Sequence, residues 1–190
     1  MSKPEHARHL SMAELEAGLD AILATPKREG TLDWIVRRPA VGEREALASG
    51  RLDLDEGLVG DDWKLRGSSR TPDGSAHPEM QLNVMNSRVI ALLAREKSRW
   101  QLAGDQLFID LDLGDENLSP GSRLSVGEGV IEVTTLPHTG CKKFAVRFGV
   151  DAVKFVNSEL GRKHRLRGIN AKVVTPGVIR LGDAVKAIPG

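Results

Sequence analysis

Apolar positions in the first quarter of the chain repeat with a helical period and then change texture. Leu15, Leu19, Ile22 and Leu23 fall on one face of a helix spanning 11–24. Ser11 and Glu14 have capping-box spacing at its start, and Thr25-Pro26 ends it. From Leu32 the run LDWIVRR reads as a β-strand closed by Pro39. Residues 42–62 are charged and broken by glycine, and 66–79 are rich in Gly, Ser and Pro. That second segment exceeds a routine connection of about 4–6 residues, which marks it as either mobile or functional. Residues 84–100 place Val89, Ile90, Leu92 and Leu93 on a helix with Asn86 as its N-cap. The second half is mostly short strands at 106–113, 122–127, 129–136 and 167–174, with two more before the C-terminus. Among them 151–161 reads as a helix, with Asp151 at its start and Gly161 as its stop. The pattern predicts a β-rich α+β fold: a β-barrel with several peripheral helices. A helical extension (1–30) precedes the barrel domain (31–190).

Composition narrows the function classes. The 190 residues are 40% hydrophobic and 28% charged, as in an ordinary globular protein. A net charge of +1 gives no overall attraction to nucleic acid or anionic membranes. Aromatics are 4% with no Tyr, which disfavours base-stacking surfaces. No apolar run approaches the roughly 20 residues of a membrane span, and MSKPEHARHL has no signal-peptide core. A cytoplasmic location is expected. One cysteine excludes an internal disulfide and a multi-cysteine zinc site. Cys141 is thus either an inert small hydrophobe or the centre of the chemistry.

Its context, LPHTGCKKFAVRFG, favours neither option outright. Pro137 and Gly140 force a turn after a strand, and a helix carrying Phe144 and Phe148 follows. With Thr139 as N-cap, Cys141 falls in the first turn, beside Lys142 and Lys143, with His138 three residues back. Helix N-termini and nearby cations favour the thiolate. Against this, free cysteines are often simply buried. His138 and Cys141 also have the spacing of two metal ligands, but His77 and His164 lie in no motif that would complete a site.

Other segments offer anion-binding or turn chemistry. In the basic stretch 161–172, Arg162, Lys163 and Arg165 read as a solvated face, whereas Arg167 opens a strand before Gly168 and suits an oxyanion. Asn117 lies in a turn-rich segment, where its amide can donate and accept at once. GLVGDDW (57–63) contains Asp61 but no Gly-Lys-Ser/Thr, so it is not a phosphate loop. No G-x-S-x-G occurs either.

In order, G-L-x-G-D at 57–61, D-E-N-L at 115–118, a lone Cys before K-K-F at 141–144, R-G-I-x-A at 167–171 and P-G-x-I-x-x-G-D at 176–183 form a pattern. It resembles the MOSC domain, named after the C-terminal domain of molybdenum cofactor sulfurases, from about Leu32 to Ile188. The resemblance implies a barrel-like fold with the Cys at the functional site, carrying sulfur as a persulfide for metal-sulfur targets such as the molybdenum cofactor. By position it matches Cys141, Asn117, Asp61 and Arg167 to family motifs. Asp62 stands where the family often has a basic residue, and 11–24 and 66–79 lie outside the pattern.

Three functions follow as expectations. The first is a sulfur carrier or sulfurtransferase using a Cys141 persulfide, with Arg167, Asn117, Asp61, Lys142, Lys143 and His138 holding the cofactor. A separate cysteine desulfurase would be the donor, since no pyridoxal phosphate site is expected here, and a molybdoenzyme or its cofactor the acceptor. The second is a molybdenum-cofactor-binding oxidoreductase component with Cys141 on the metal. The third is a non-catalytic barrel that binds an anion or a partner.

Overall fold

The computed structural model describes residues 8–188. Strand β1 (Glu29–Arg37) is apolar on both faces because both faces are covered. Leu32 and Ile35 enter one buried cluster, while Trp34 and Val36 pack with another. A bulge between Leu32 and Trp34 shifts the alternation, so 32 and 35 share a face. The short strand β6 (Leu107–Ile109) behaves in the same way: Leu107 and Ile109 point into the first cluster and Phe108 into the second.

The first cluster is the interior of a closed barrel. With β5 (Leu82–Asn86), β7 (Arg123–Val126), β8 (Gly129–Pro137), β9 (Ile169–Thr175) and β11 (Ala184–Ile188), the ring runs β1-β11-β7-β8-β9-β5-β6 and returns to β1. Only β5 and β6 pair in parallel; the other neighbours are antiparallel. Closure removes the open edges that a sheet of this length would otherwise present. Strand β2 (Glu45–Leu47) adds to the far end of β1, and β3 (Ser49–Asp53), β4 (Gly57–Leu58) and β10 (Gly177–Arg180) form a small separate sheet.

The second cluster lies outside the barrel wall, beneath the helices. They are α1 (Met12–Ala17), α2 (Leu19–Leu23), α3 (Ser87–Ala94), α4 (Lys142–Phe148), α5 (Val150–Asn157) and α6 (Glu159–Lys163). Leu15, Val89, Phe144, Phe148 and Phe155 meet Met85 and Phe108 there.

Several boundaries differ from those read in the sequence. The single helix over 11–24 breaks at Gly18, although its Ser11–Glu14 capping box is formed. The helix over 84–100 begins only at Ser87, because Leu82–Asn86 is a barrel strand, and it ends at Ala94. Asn86 is nevertheless its N-cap, accepting from the N–H groups of Arg88 (2.8 Å) and Val89 (3.2 Å). Of 106–113, only 107–109 joins the ladder. The helix over 151–161 is two helices broken at Ser158. Gly161 is not a stop but lies inside α6, where its N–H donates to the Ser158 hydroxyl.

Candidate functional site

The cleft arises where β8 and β9 part. Val133 pairs with Ala171 and Pro137 with Ile169, so Thr134, Thr135 and Leu136 stand against Asn170 alone. The surplus chain bows outward. Asn170 bridges the gap, donating from Nδ2 to the Leu136 carbonyl at 3.0 Å. Between this bow, α6 and the start of β9 lies a cleft of about 380 Å³, whose lining includes Thr135, His138, Thr139, Arg162, Arg167 and Asn170. Gly168 makes the tight entry to β9 possible. Its φ is +105°, and a Cβ there would stand 2.3 Å from the Val84 carbonyl oxygen.

Behind the cleft a buried carboxylate organises two of its walls. Arg167 Nη1 donates to both oxygens of Asp105, at 3.0 and 2.8 Å, and Nη2 donates to the Ala103 carbonyl at 3.1 Å. His138 Nε2 lies 3.1 Å from Asp105 Oδ1. Burial raises the Asp105 pKa, but the Arg167 charge and the His138 hydrogen bond outweigh it and hold the carboxyl below its ordinary range. Burial lowers the pKa of His138, helped by the charges of Arg167 and Arg38 and opposed by Asp105. An ionised Asp105 only accepts, so a neutral His138 carries its proton on Nε2 and keeps Nδ1 as an acceptor. Arg167 also lies over the Phe144 ring, 4.7 Å from its centroid, and its buried Nε has no partner among the described residues.

Cys141 is exposed, two residues beyond Thr139. It is itself the N-cap of α4, in extended conformation (φ −121°, ψ 179°), where Thr139 was expected. Its carbonyl accepts the first helical bond, from Ala145 at 3.0 Å. The residue before it is clamped: the Gly140 N–H donates to Asn157 Oδ1 at 2.9 Å, and Asn157 Nδ2 returns to the Gly140 carbonyl at 3.0 Å. Lys142 and Lys143 are exposed and make no ion pair among the described residues.

His138 and Arg167 are therefore brought together on Asp105, whereas Cys141, Lys142 and Lys143 follow Thr139 in the chain without lining the cleft. Asp61 and Asn117 do not line this cleft. Asp61 is buried and paired with Arg38 through Nε (2.8 Å) and Nη2 (2.7 Å), and it caps the short turn at Asp62–Leu65. Asn117 donates to the carbonyls of Lys27 (2.9 Å) and Asp112 (2.7 Å), tying its turn to the start of the barrel. In the basic stretch, Lys163 pairs with Glu116 and Arg165 with Asp115. Sequence reasoning missed Asp105 and Asn157. Each acts on a partner far along the chain, and neither sits in a motif.

Comparison with known proteins agrees with this architecture. The fold is similar to the crystal structure of the YuaD protein from Bacillus subtilis: TM-score 0.62 and 15% identity, covering 84% of this chain and 95% of that one. It is also similar to YiiM from Escherichia coli: TM-score 0.54 and 18% identity, over 84% of this chain and 70% of that one. No curated protein matches the sequence. The family model described as MOSC domain matches residues 72–186, more than half of the 190 residues and including both Cys141 and Arg167. The chain belongs to the MOSC domain family.

Proposed function

We propose that the protein is a sulfur carrier that holds sulfane sulfur as a persulfide on Cys141 and passes it to an anionic metal-sulfur cofactor such as the molybdenum cofactor. The observation that carries this reading is the placement of the only thiol: exposed, clamped by Asn157 through Gly140, and close in the chain to a basic cleft. A structural cysteine has no need of exposure, and a carrier does.

Loading is a balanced exchange. The Cys141 thiolate attacks the outer sulfur of a donor persulfide, a new S–S bond forms at Cys141, the donor's S–S bond breaks, and the donor leaves as a thiolate. The donor is a separate desulfurase-type protein. A free exposed thiol suits a reducing compartment such as the cytoplasm, and among the described residues no helix is long and apolar enough to cross a membrane.

The side chains suit an anionic cofactor. Arg162 lines the cleft without an ion-pair partner among the described residues, and the buried Arg167 Nε still has a hydrogen to donate. These two arginines would hold the anion; His138, whose one proton is spent on Asp105, would offer only an acceptor there. When bound, a molybdenum cofactor supplies a metal whose sulfur ligands exchange. Among the described residues no group of three or more His, Cys, Asp or Glu side chains could hold a metal ion, so such a metal would depend on its organic ligand and at most on Cys141. That soft thiolate favours a second reading, a cofactor-binding oxidoreductase component with Cys141 as ligand. Incubation with a cysteine desulfurase and labelled cysteine tests the first reading. Wild type is expected to retain label released by reductant, and Cys141→Ser none. Unlabelled wild type that instead co-purifies with molybdenum and pterin supports the second.

A further inference from the structure

The cleft between β8 and β9 contains an acceptor that its ligand has to satisfy. Pro137 is held in the ladder opposite Ile169, and Gly140 is held by the Asn157 amide, so His138 sits on a segment fixed at both ends. The His138 ring lines the cleft, while its Nε2 faces Asp105, which lies behind the cleft wall. Asp105 already accepts two hydrogen bonds from Arg167 Nη1 and, being ionised, can only accept from His138 as well. Burial, with the charges of Arg167 and Arg38, holds the pKa of His138 below its ordinary value, so the ring is neutral at neutral pH. Its one proton is on Nε2, and Nδ1 is a bare lone pair. Nδ1 has no partner among the described residues and is not closed off by protein.

Other acceptors on the cleft walls are engaged. Asn170 Oδ1 accepts from Asn83 Nδ2 at 2.7 Å, the Leu136 carbonyl from Asn170 Nδ2 at 3.0 Å, and the Asp115 carboxylate pairs with Arg165 Nε at 2.6 Å. Thr134 and Thr135 spend their hydroxyl hydrogens on Glu79, at 2.7 and 2.8 Å. Arg167 and His138 bond the same oxygen, Asp105 Oδ1, at 3.0 and 3.1 Å, so they are neighbours, and an anion drawn to the guanidinium meets the imidazole. A fully deprotonated oxyanion there sets its own lone pairs against Nδ1 and leaves it unsatisfied. An anion with an O–H or N–H next to its charge donates to Nδ1 instead.

We propose that His138 is a specificity-determining residue: the cleft selects anions that carry a hydrogen-bond donor next to the charge and rejects anions of the same charge and similar shape that carry none. The inference rests on the reading of this cleft as the anion site given above.

Titration of the full chain at about pH 8 with two matched pairs of sodium salts tests it. Hydrogen phosphate and sulfate are both tetrahedral dianions, but only the first has an O–H. Sulfamate and methanesulfonate are both monoanions, but only the first has N–H groups. Calorimetry reads affinity, and the ¹⁵N signals of the imidazole, assigned with His138→Phe, read which ring nitrogen holds the proton. In wild type, Nδ1 is expected to resonate as an unprotonated nitrogen and to shift on binding. Hydrogen phosphate and sulfamate are each expected to bind roughly tenfold or more tightly than their partners. The pair with the larger gap tells an O–H ligand from an N–H ligand, and either supports the selection. His138→Phe is expected to bind without the preference. Asp105→Asn offers an amide N–H to Nε2, which drives the ring proton to Nδ1 and is expected to reverse the preference. Equal affinities within both pairs in wild type, or a preference that survives in His138→Phe, overturns the selection and leaves the anion site standing. Binding of none of the four salts overturns both. Neither readout involves sulfur at Cys141, so a failure of selection and a failure of persulfide loading are separate results.

Discussion

Arg167 and Asp105 form a buried ion pair, 62 residues apart in sequence, in which one guanidinium nitrogen reaches both oxygens of a carboxylate closed off from solvent, at 3.0 and 2.8 Å. His138 takes the same carboxylate from the cleft side. The cleft is thus anchored to the barrel by a charge that no solvent reaches. Removing one partner strands the other. Asp105→Ala is expected to cost about 3–5 kcal/mol of stability in urea unfolding, and the double variant Asp105→Ala/Arg167→Leu to cost less than the sum of the two single changes.

Acid sensitivity follows from His138, whose pKa in the folded chain is below the ordinary value of 6.5. Below that value the unfolded chain takes up a proton that the folded chain refuses. Stability then falls by up to about 1.4 kcal/mol per pH unit until the folded pKa is reached. Asp105 adds a loss at lower pH, since its contribution is present above its unfolded value and disappears as pH falls through its depressed folded pKa. Melting temperatures between pH 7.5 and 5 are expected to drop more steeply for wild type than for His138→Gln. Parallel slopes would remove His138 from this role.

Gly168 carries a separate prediction. With φ at +105° and the Val84 carbonyl 2.3 Å from any added Cβ, Gly168→Ala is expected to destabilise the fold by at least about 1–3 kcal/mol. Chemical denaturation measures it directly.

Asn157 tests how Cys141 is held. Its amide satisfies both backbone groups of Gly140, so Asn157→Ala releases the turn before the thiol at a cost of about 1–3 kcal/mol. The rate of persulfide loading is expected to fall while alkylation of the exposed thiol by iodoacetamide proceeds. Unchanged loading would show that the clamp does not position Cys141.

The features legible in the sequence are those set by neighbours along the chain. Ser11 and Glu14 are three apart and form their capping box, and Asn86 caps α3 through the next turn. The short apolar runs are barrel strands because close spacing of Ile, Val and Leu with Gly turns encodes them locally. Long-range partners left no such trace. Residues 82–86 (Leu-Asn-Val-Met-Asn) are buried on both faces of β5, Leu82 and Val84 in the barrel interior and Met85 in the outer cluster, so their mixed apolar and polar order gives no period that separates strand from helix. Asp61 stands out in its Gly-Asp motif, but nothing there announces its partner Arg38, 23 residues earlier, which takes both its oxygens. Thr139 is the better capping residue by type. Asn157 nonetheless fixes Gly140 and leaves the capping position to Cys141, a displacement that only tertiary contact explains.

The most direct measurement is the intact mass of the native protein after exposure to a cysteine desulfurase and cysteine. The expected result is a species one sulfur atom heavier, restored by reductant and absent in Cys141→Ser. A wild-type mass that never changes, or a Cys141→Ser variant that gains the same sulfur, would contradict the persulfide carrier.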